Sequence, residues 1–272
     1  MTRVAAIQMT SHTDVKKNLD EAAKWIAEAA NQDAQLIVLP EMFAMMGVDP
    51  LEKIKIREEL GSGPIQDFLS TQAAKYGIWL VGGTIPLAIE QSQEKVHATC
   101  LLYDDKGRVA ACYDKIHLFD VSIQATRENY YESKTTEPGN QIVVLSTPFG
   151  KLGLAVCYDI RFPELFRTMH DEGVEVIILP AAFTYTTGSA HWDVLIRARA
   201  IENQVYVIAS AQTGMHENGR KTFGHSMIVD PWGTIKASLP EGQGIVAADL
   251  DFAYLQQVRS EFPVLLHRRV RK

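Results

Sequence analysis

The chain writes the same strand twice. DAQLIVLPEMF (33–43) and GVEVIILPAAF (173–183) each pass through branched apolar residues, close on Leu-Pro, and carry a phenylalanine three residues after the proline. Runs this short and this apolar are expected as strands buried on both faces. Proline lacks the N–H a ladder needs, so both strands are expected to stop at Leu-Pro.

The surroundings repeat as well. RVAAIQM (3–9) and KLGLAVC (151–157) read as the preceding strands. The first is followed by a helical pattern with Val15, Leu19, Ala22, Ile26 and Ala30 on one face, the second by FPELFRTMHDEG with Pro163 early and Gly173 at its end. Downstream, IQDFLSTQAAKYG (65–77) leads into IWLVGGT, and HWDVLIRARAIENQ (191–204) into VYVIASA. Each half closes with a strand pair about an Asp-x-x-Gly turn, at 98–114 and 224–239. The order is therefore strand-helix-strand-helix-strand-hairpin, twice. It predicts a pair of sheets with helices outside, one domain over 1–272 with an internal pseudo-twofold. No Pro/Gly/Ser linker divides the halves, and the joining segment 115–150 is polar and turn-rich.

Composition narrows the function. A net charge of −6 over 272 residues argues against a nucleic-acid binder, which needs a basic face. The one basic cluster, HRRVRK at 267–272, reads as a solvated tail. MTRVAAIQMT lacks a signal-peptide core, and no stretch approaches the ~20 apolar residues of a membrane span. Three cysteines without a C-x-x-C pair suggest no disulfide framework and no zinc site, and so a reducing, cytoplasmic setting.

Cys157 stands where an apolar run gives way to Tyr158, Asp159 and Arg161 ahead of Pro163. A buried free cysteine is commonly a small hydrophobe. A thiol between a strand end and a helix start, however, meets N–H groups that favour an anion. Cys100 and Cys112 lie inside hairpin strands, where filler suffices. A nucleophilic thiol needs a base, and none of the eight histidines has a spacing that marks it. Glu41 offers another: it follows LIVLP, while the equivalent residue of the second half is Ala181. The repeat keeps its apolar frame and changes at the carboxylate, so the carboxylate serves either function or a local ion pair. Lys115, in YDKIHLFD, could stabilise an oxyanion or simply be solvated.

LPEMF, YDKIHLFD and GLAVCYDIRFPEL together resemble the three catalytic blocks of the nitrilase-related carbon–nitrogen hydrolases, over nearly the whole chain. The resemblance implies a four-layer α-β-β-α sandwich and a Glu-Lys-Cys triad. Glu41 would be general base, Lys115 the oxyanion-stabilising cation and Cys157 the nucleophile. ESKTTEPG resembles the block of a supporting glutamate, Glu132. A thioester route needs no metal or organic cofactor, and the resemblance implies a homodimer or larger assembly. The second half is similar to the branch holding omega-amidase and deaminated-glutathione amidase, the latter favoured. A small amide with a free carboxylate is then the expected substrate. Tyr158, Arg161, Phe183 and Thr187 are its expected binding residues; Arg161 could instead pair with Glu164, and Phe183 and Thr187 could be packing and a cap. His191 and Trp192 are expected to start a helix. N-carbamoyl hydrolysis and nitrile hydration stay open. Readings from other classes are a non-catalytic binding protein, a Cys-His hydrolase and a Schiff-base enzyme on Lys115. GGT at 82–84 belongs to no phosphate-binding motif.

Overall fold

A computed structural model describes residues 2–90, 92–124 and 128–270. The first half runs β1 (Thr2–Gln8), α1 (Val15–Asn31), β2 (Leu36–Val38), α2 (Glu52–Lys55), α3 (Pro64–Tyr76), β3 (Trp79–Val81), β4 (Ile85–Ile89), β5 (Ser92–Tyr103) and β6 (Val109–Asp114). The joining segment carries β7 (Asp120–Ile123), β8 (Glu128–Tyr131) and β9 (Val144–Thr147). The second half begins with β10 (Gly150–Leu154), α4 (Pro163–Asp171), β11 (Val176–Ala181), α5 (Tyr185–Asn203) and β12 (Tyr206–Ala211). It ends with β13 (Thr213–Met215), β14 (Lys221–Phe223), β15 (Ser226–Val229), β16 (Ile235–Leu239), β17 (Gly244–Leu250) and α6 (Phe252–Glu261).

The repeat is a repeat of topology. One sheet runs β1-β2-β3-β5-β6 and the other β10-β11-β12-β15-β16. In both, the first three strands are parallel and the next two antiparallel. An antiparallel strand flanks each first strand: β17 beside β1 and β9 beside β10. β17, near the far end of the chain, thus completes the sheet of the first half. Both Asp-x-x-Gly turns are built alike. Gly107 and Gly233 adopt φ of 74° and 85°, and Asp104 and Asp230 each accept two backbone N–H groups through Oδ1.

Alternation along β1 sorts the layers. Ala5 and Ile7 pack with Ile37, Leu80 and Leu101 beneath Ala22 and Ile26 of α1 and Leu69 and Ala73 of α3. Val4 and Ala6 share the other core with Leu179, Val207 and Ala209 of the second sheet. Trp192 and Ile196 of α5, with Phe166 and Met169 of α4, close that core from outside. This is the α-β-β-α sandwich. No described helix is long and apolar enough to cross a membrane.

Several boundaries differ from expectation. β2 stops before Pro40, but β11 runs through Pro180 to Ala181. β11 pairs with β12 as far as Ala181, whereas β10 leaves it after Ile178. Ala181 accepts from Gln212 on the β12 side, so the nitrogen of Pro180 faces the side already abandoned and no ladder bond is lost. α5 starts at Tyr185, so His191 and Trp192 lie within it rather than at its start. On α1, Ala29 is fully buried and Ala30 only partly. The basic cluster is not purely solvated: Arg268 pairs with Asp171 of α4, while Arg271 and Lys272 lie outside the described residues.

Candidate active site

The two Leu-Pro strands end face to face, and the candidate residues gather there. β10 ends at Leu154, three residues earlier than expected, and Cys157 opens a 3-10 turn, Cys157–Arg161. Its φ is 46°, in the left-handed region that costs a side chain about 1–3 kcal/mol. Met42, next to Glu41, is also left-handed at 58°. Its N–H donates to Thr84 Oγ1 (3.0 Å). Gly83 lets that support approach: a Cβ there would stand 2.0 Å from the Pro40 carbonyl oxygen. The GGT segment is therefore the floor under Glu41. From the second half, Gln212 donates Nε2–H to the Glu41 carbonyl (3.0 Å).

Glu41, 5% exposed, accepts from Lys115 Nζ at 2.8 Å and from the Ala182 N–H at 2.7 Å. Ala182 adjoins Ala181, the repeat-equivalent of Glu41, so one half's carboxylate is held by the other half's strand end. Lys115 follows β6 and is 2% exposed. Its ammonium also donates to both oxygens of Glu132 (3.1 and 2.9 Å). Glu132 leaves β8 in a 3-10 turn and accepts the Phe119 N–H at 2.7 Å.

Charge and burial set the protonation pattern. Burial alone would raise the Glu41 carboxyl, but the charge and hydrogen bond of Lys115, with a hydrogen bond from Cys157 and the field of Arg220, hold it below the ordinary carboxylate range. Burial opposes the Lys115 ammonium; Glu132 and Glu41 outweigh it and hold the lysine well above its usual range. Burial and then the Glu41 charge push the Cys157 thiol well up, against the pull of Lys115. At rest the site is carboxylate, ammonium and protonated thiol, with the base facing the same cavity as the thiol it would deprotonate.

Asp159 is the residue that sequence reasoning passed over. It is fully buried and accepts from Tyr113 Oη (2.7 Å), the His117 N–H (3.0 Å) and the Val156 N–H (2.8 Å), with His117 Nδ1 at 2.7 Å. Tyr113 and His117 bracket Lys115, and Val156 precedes Cys157, so this carboxylate ties the lysine loop to the cysteine turn. An amide has one acceptor oxygen for these donors. Asp159→Asn is expected to cost about 2–4 kcal/mol of stability and lower kcat ten- to a hundredfold with a smaller change in KM. Thermal melting and steady-state kinetics check both parts.

A cavity of about 370 Å³ opens on Cys157, Glu41 and Lys115. Tyr158, Phe183 and Thr187 line it; Thr187 lies in the first turn of α5, its hydroxyl 2.7 Å from that of Thr184. Arg161 stands outside the lining. Its guanidinium lies over Phe183 (5.1 Å) and Tyr158 (5.9 Å) and 3.2 Å from His191 Nδ1, with no ion pair to Glu164. Among the described residues, the cations that do line the cavity, besides Lys115, are Lys53 and Arg220. Neither sits in a pattern that marks it in sequence. Among the described residues no cluster of three or more His, Cys, Asp or Glu forms a metal site.

The family model for carbon-nitrogen hydrolase matches residues 3–260. A human relative, deaminated glutathione amidase, is 44% identical over 270 residues, which cover 98% of this chain and 82% of that protein. The crystal structure of the C. elegans NitFhit protein superposes with a TM-score of 0.92 at 38% identity; the match covers 98% of this chain and 65% of that one. An amidase from Nesterenkonia sp. AN1, solved after Michael addition of acrylamide at its active-site cysteine, matches with a TM-score of 0.78 at 29% identity, over 98% of this chain and 100% of that one. The chain belongs to the carbon–nitrogen hydrolase family. It is an enzyme that hydrolyses amides.

Proposed function

We propose that the chain hydrolyses the amide bond of a small carboxylate-bearing substrate, deaminated glutathione foremost, through a thioester on Cys157. The observation that carries this reading is the Glu41 carboxylate held by the Lys115 ammonium and the Ala182 N–H, in the cavity that Cys157 also lines. Glu41 takes the thiol proton as sulfur attacks the amide carbonyl. The oxyanion forms against Lys115 and the Tyr158 N–H. The amine or ammonia leaves with the proton held by Glu41. Water, deprotonated by the same carboxylate, attacks the thioester and frees the acid and Cys157. Glu132 holds Lys115 in place and keeps its charge. No step calls for a metal or organic cofactor.

The substrate rests on relatives that bear the name deaminated glutathione amidase at 38–44% identity. Omega-amidase action on alpha-ketoglutaramate is the alternative, and N-carbamoyl hydrolysis a further one. Tyr158, Phe183 and Thr187 are proposed to touch the substrate, with Arg161 behind the two aromatic rings. A single domain over 1–272, a cytoplasmic site of action and a homodimer or larger assembly complete the proposal. The assembly is supported by exposed apolar side chains such as Val194, Trp232, Phe262 and Leu266.

Purified protein is offered deaminated glutathione and alpha-ketoglutaramate separately, with release of free amine or ammonia followed. Higher kcat/KM on deaminated glutathione supports the favoured substrate. The reverse order moves the protein to the omega-amidase reading, and release from neither overturns both.

A further inference from the structure

Lys115 spends its charge on two carboxylates, Glu41 and Glu132. Two other cations of the cavity are left over. Lys53, on α2, donates among the described residues only to the Thr136 hydroxyl (3.2 Å). Arg220 gives Nη2 to the Ala182 carbonyl and lies over the Tyr130 ring, while its Nε is buried without a partner. Among the described residues neither meets a carboxylate within ion-pair distance. The remaining acid of the lining, Asp49, is exposed at the mouth and caps the Leu51 N–H.

Two half-buried cations facing a cavity, with no counter-ion of their own among the described residues, are costly unless something supplies the charge. Burial first of all, helped by Lys115 and Arg220, pushes the Lys53 ammonium below the usual lysine range despite Glu132 and Glu41. An anion entering the cavity relieves that cost on both side chains. A guanidinium with an unused Nε–H offers a carboxylate a directed donor, and a nearby ammonium adds a second.

We infer that Lys53 and Arg220 form the carboxylate-binding subsite of the cavity, which selects amides carrying a free carboxylate over neutral amides of the same length. This deepens the amidase reading above and rests on it. It gives the pair, rather than Arg161, the leading part in reading substrate charge. It also answers how a chain of net charge −6 receives an acidic substrate: the site keeps two positive charges uncommitted.

The test compares kcat/KM of the full chain, Lys53→Met, Arg220→Met and Lys53→Arg on two amides: alpha-ketoglutaramate and its neutral methyl ester. Each methionine variant is expected to lose about 30-fold more on the carboxylate substrate than on the ester, mostly in KM, with Lys53→Arg recovering part of the loss. Equal losses on both substrates would overturn the subsite and make the cations a counterweight to the Glu41–Glu132 pair. Unchanged kinetics on both would overturn it as well. A second readout needs neither turnover nor the proposed substrate. Alkylation of Cys157 by iodoacetate relative to iodoacetamide, followed at the peptide level, is expected to fall at least tenfold in the variants. An unchanged ratio in folded variants, judged by circular dichroism, contradicts the inference even if the amidase assay fails. A lowered ratio in a chain that hydrolyses neither amide would leave the subsite standing and remove the alpha-ketoglutaramate reading alone.

Discussion

Cys157→Ala is expected to lower kcat for amide hydrolysis by a factor on the order of 10⁴ to 10⁶, with the fold intact. The size follows from the route: without sulfur there is no acyl intermediate, and the remaining oxyanion donors give only the residual catalysis that such sites keep. The intact fold follows from the geometry. Cys157 is 6% exposed and heads a short turn that is held by Asp159 through Val156, not by the thiol. Alanine keeps the left-handed backbone at about the same strain and removes one sulfur atom beside the cavity. A melting temperature within a few degrees of wild type, with turnover gone, is the expected pair of results. Persisting turnover would remove Cys157 as the nucleophile.

Glu41→Gln is expected to lower kcat about a thousandfold, the scale of a lost general base, and to destabilise the site as well. Both Glu41 oxygens accept, one from Lys115 and one from Ala182. An amide has one acceptor, so its NH₂ must confront either an ammonium or a backbone N–H. Loss of the carboxylate also removes the largest charge that keeps the Cys157 thiol protonated. The pH midpoint for alkylating Cys157 is therefore expected to move down as turnover collapses. The wild-type pH profile follows from the same pattern. Glu41 must be ionised and its titration is depressed, so the acid limb of kcat/KM lies below 4.5; the thiol is raised, so the alkaline limb lies above 9.0. A wild-type limb near neutrality would contradict the assignment, as would an alkylation midpoint that stays put in the variant.

The repeat was legible because apolar runs and turn residues act locally. Leu-Pro strand ends, Asp-x-x-Gly turns and the α1 stripe depend on neighbours within one element. The meaning of Glu41 against Ala181 was also visible, as a charged change inside a conserved apolar frame. What escaped was whatever depends on strands far apart in the chain. Pro180 sits inside a strand because β10 has already left that edge. β17 joins the first sheet from near the other end of the chain. Asp159 looked like one polar residue of a turn, yet its partners lie at 113, 117 and 156. Lys53 and Arg220 are unremarkable surface-type residues until α2 and the loop after β13 bring them to one cavity. Arg161, four residues beyond the nucleophile, drew attention by proximity in sequence, and the turn it belongs to points its guanidinium onto the outside of two cavity aromatics.

The central claim is an acyl thioester on Cys157, and mass spectrometry of acid-quenched enzyme tests it most directly. Protein turning over deaminated glutathione is quenched at successive times and digested, and the peptide bearing Cys157 is weighed. The account predicts a transient mass increase equal to the substrate's acyl group on Cys157, absent from Cys157→Ala and longer-lived when water attack is slowed in Glu41→Gln. Turnover with Cys157 unmodified at every time, or with the acyl group on another side chain such as Lys115, would contradict it.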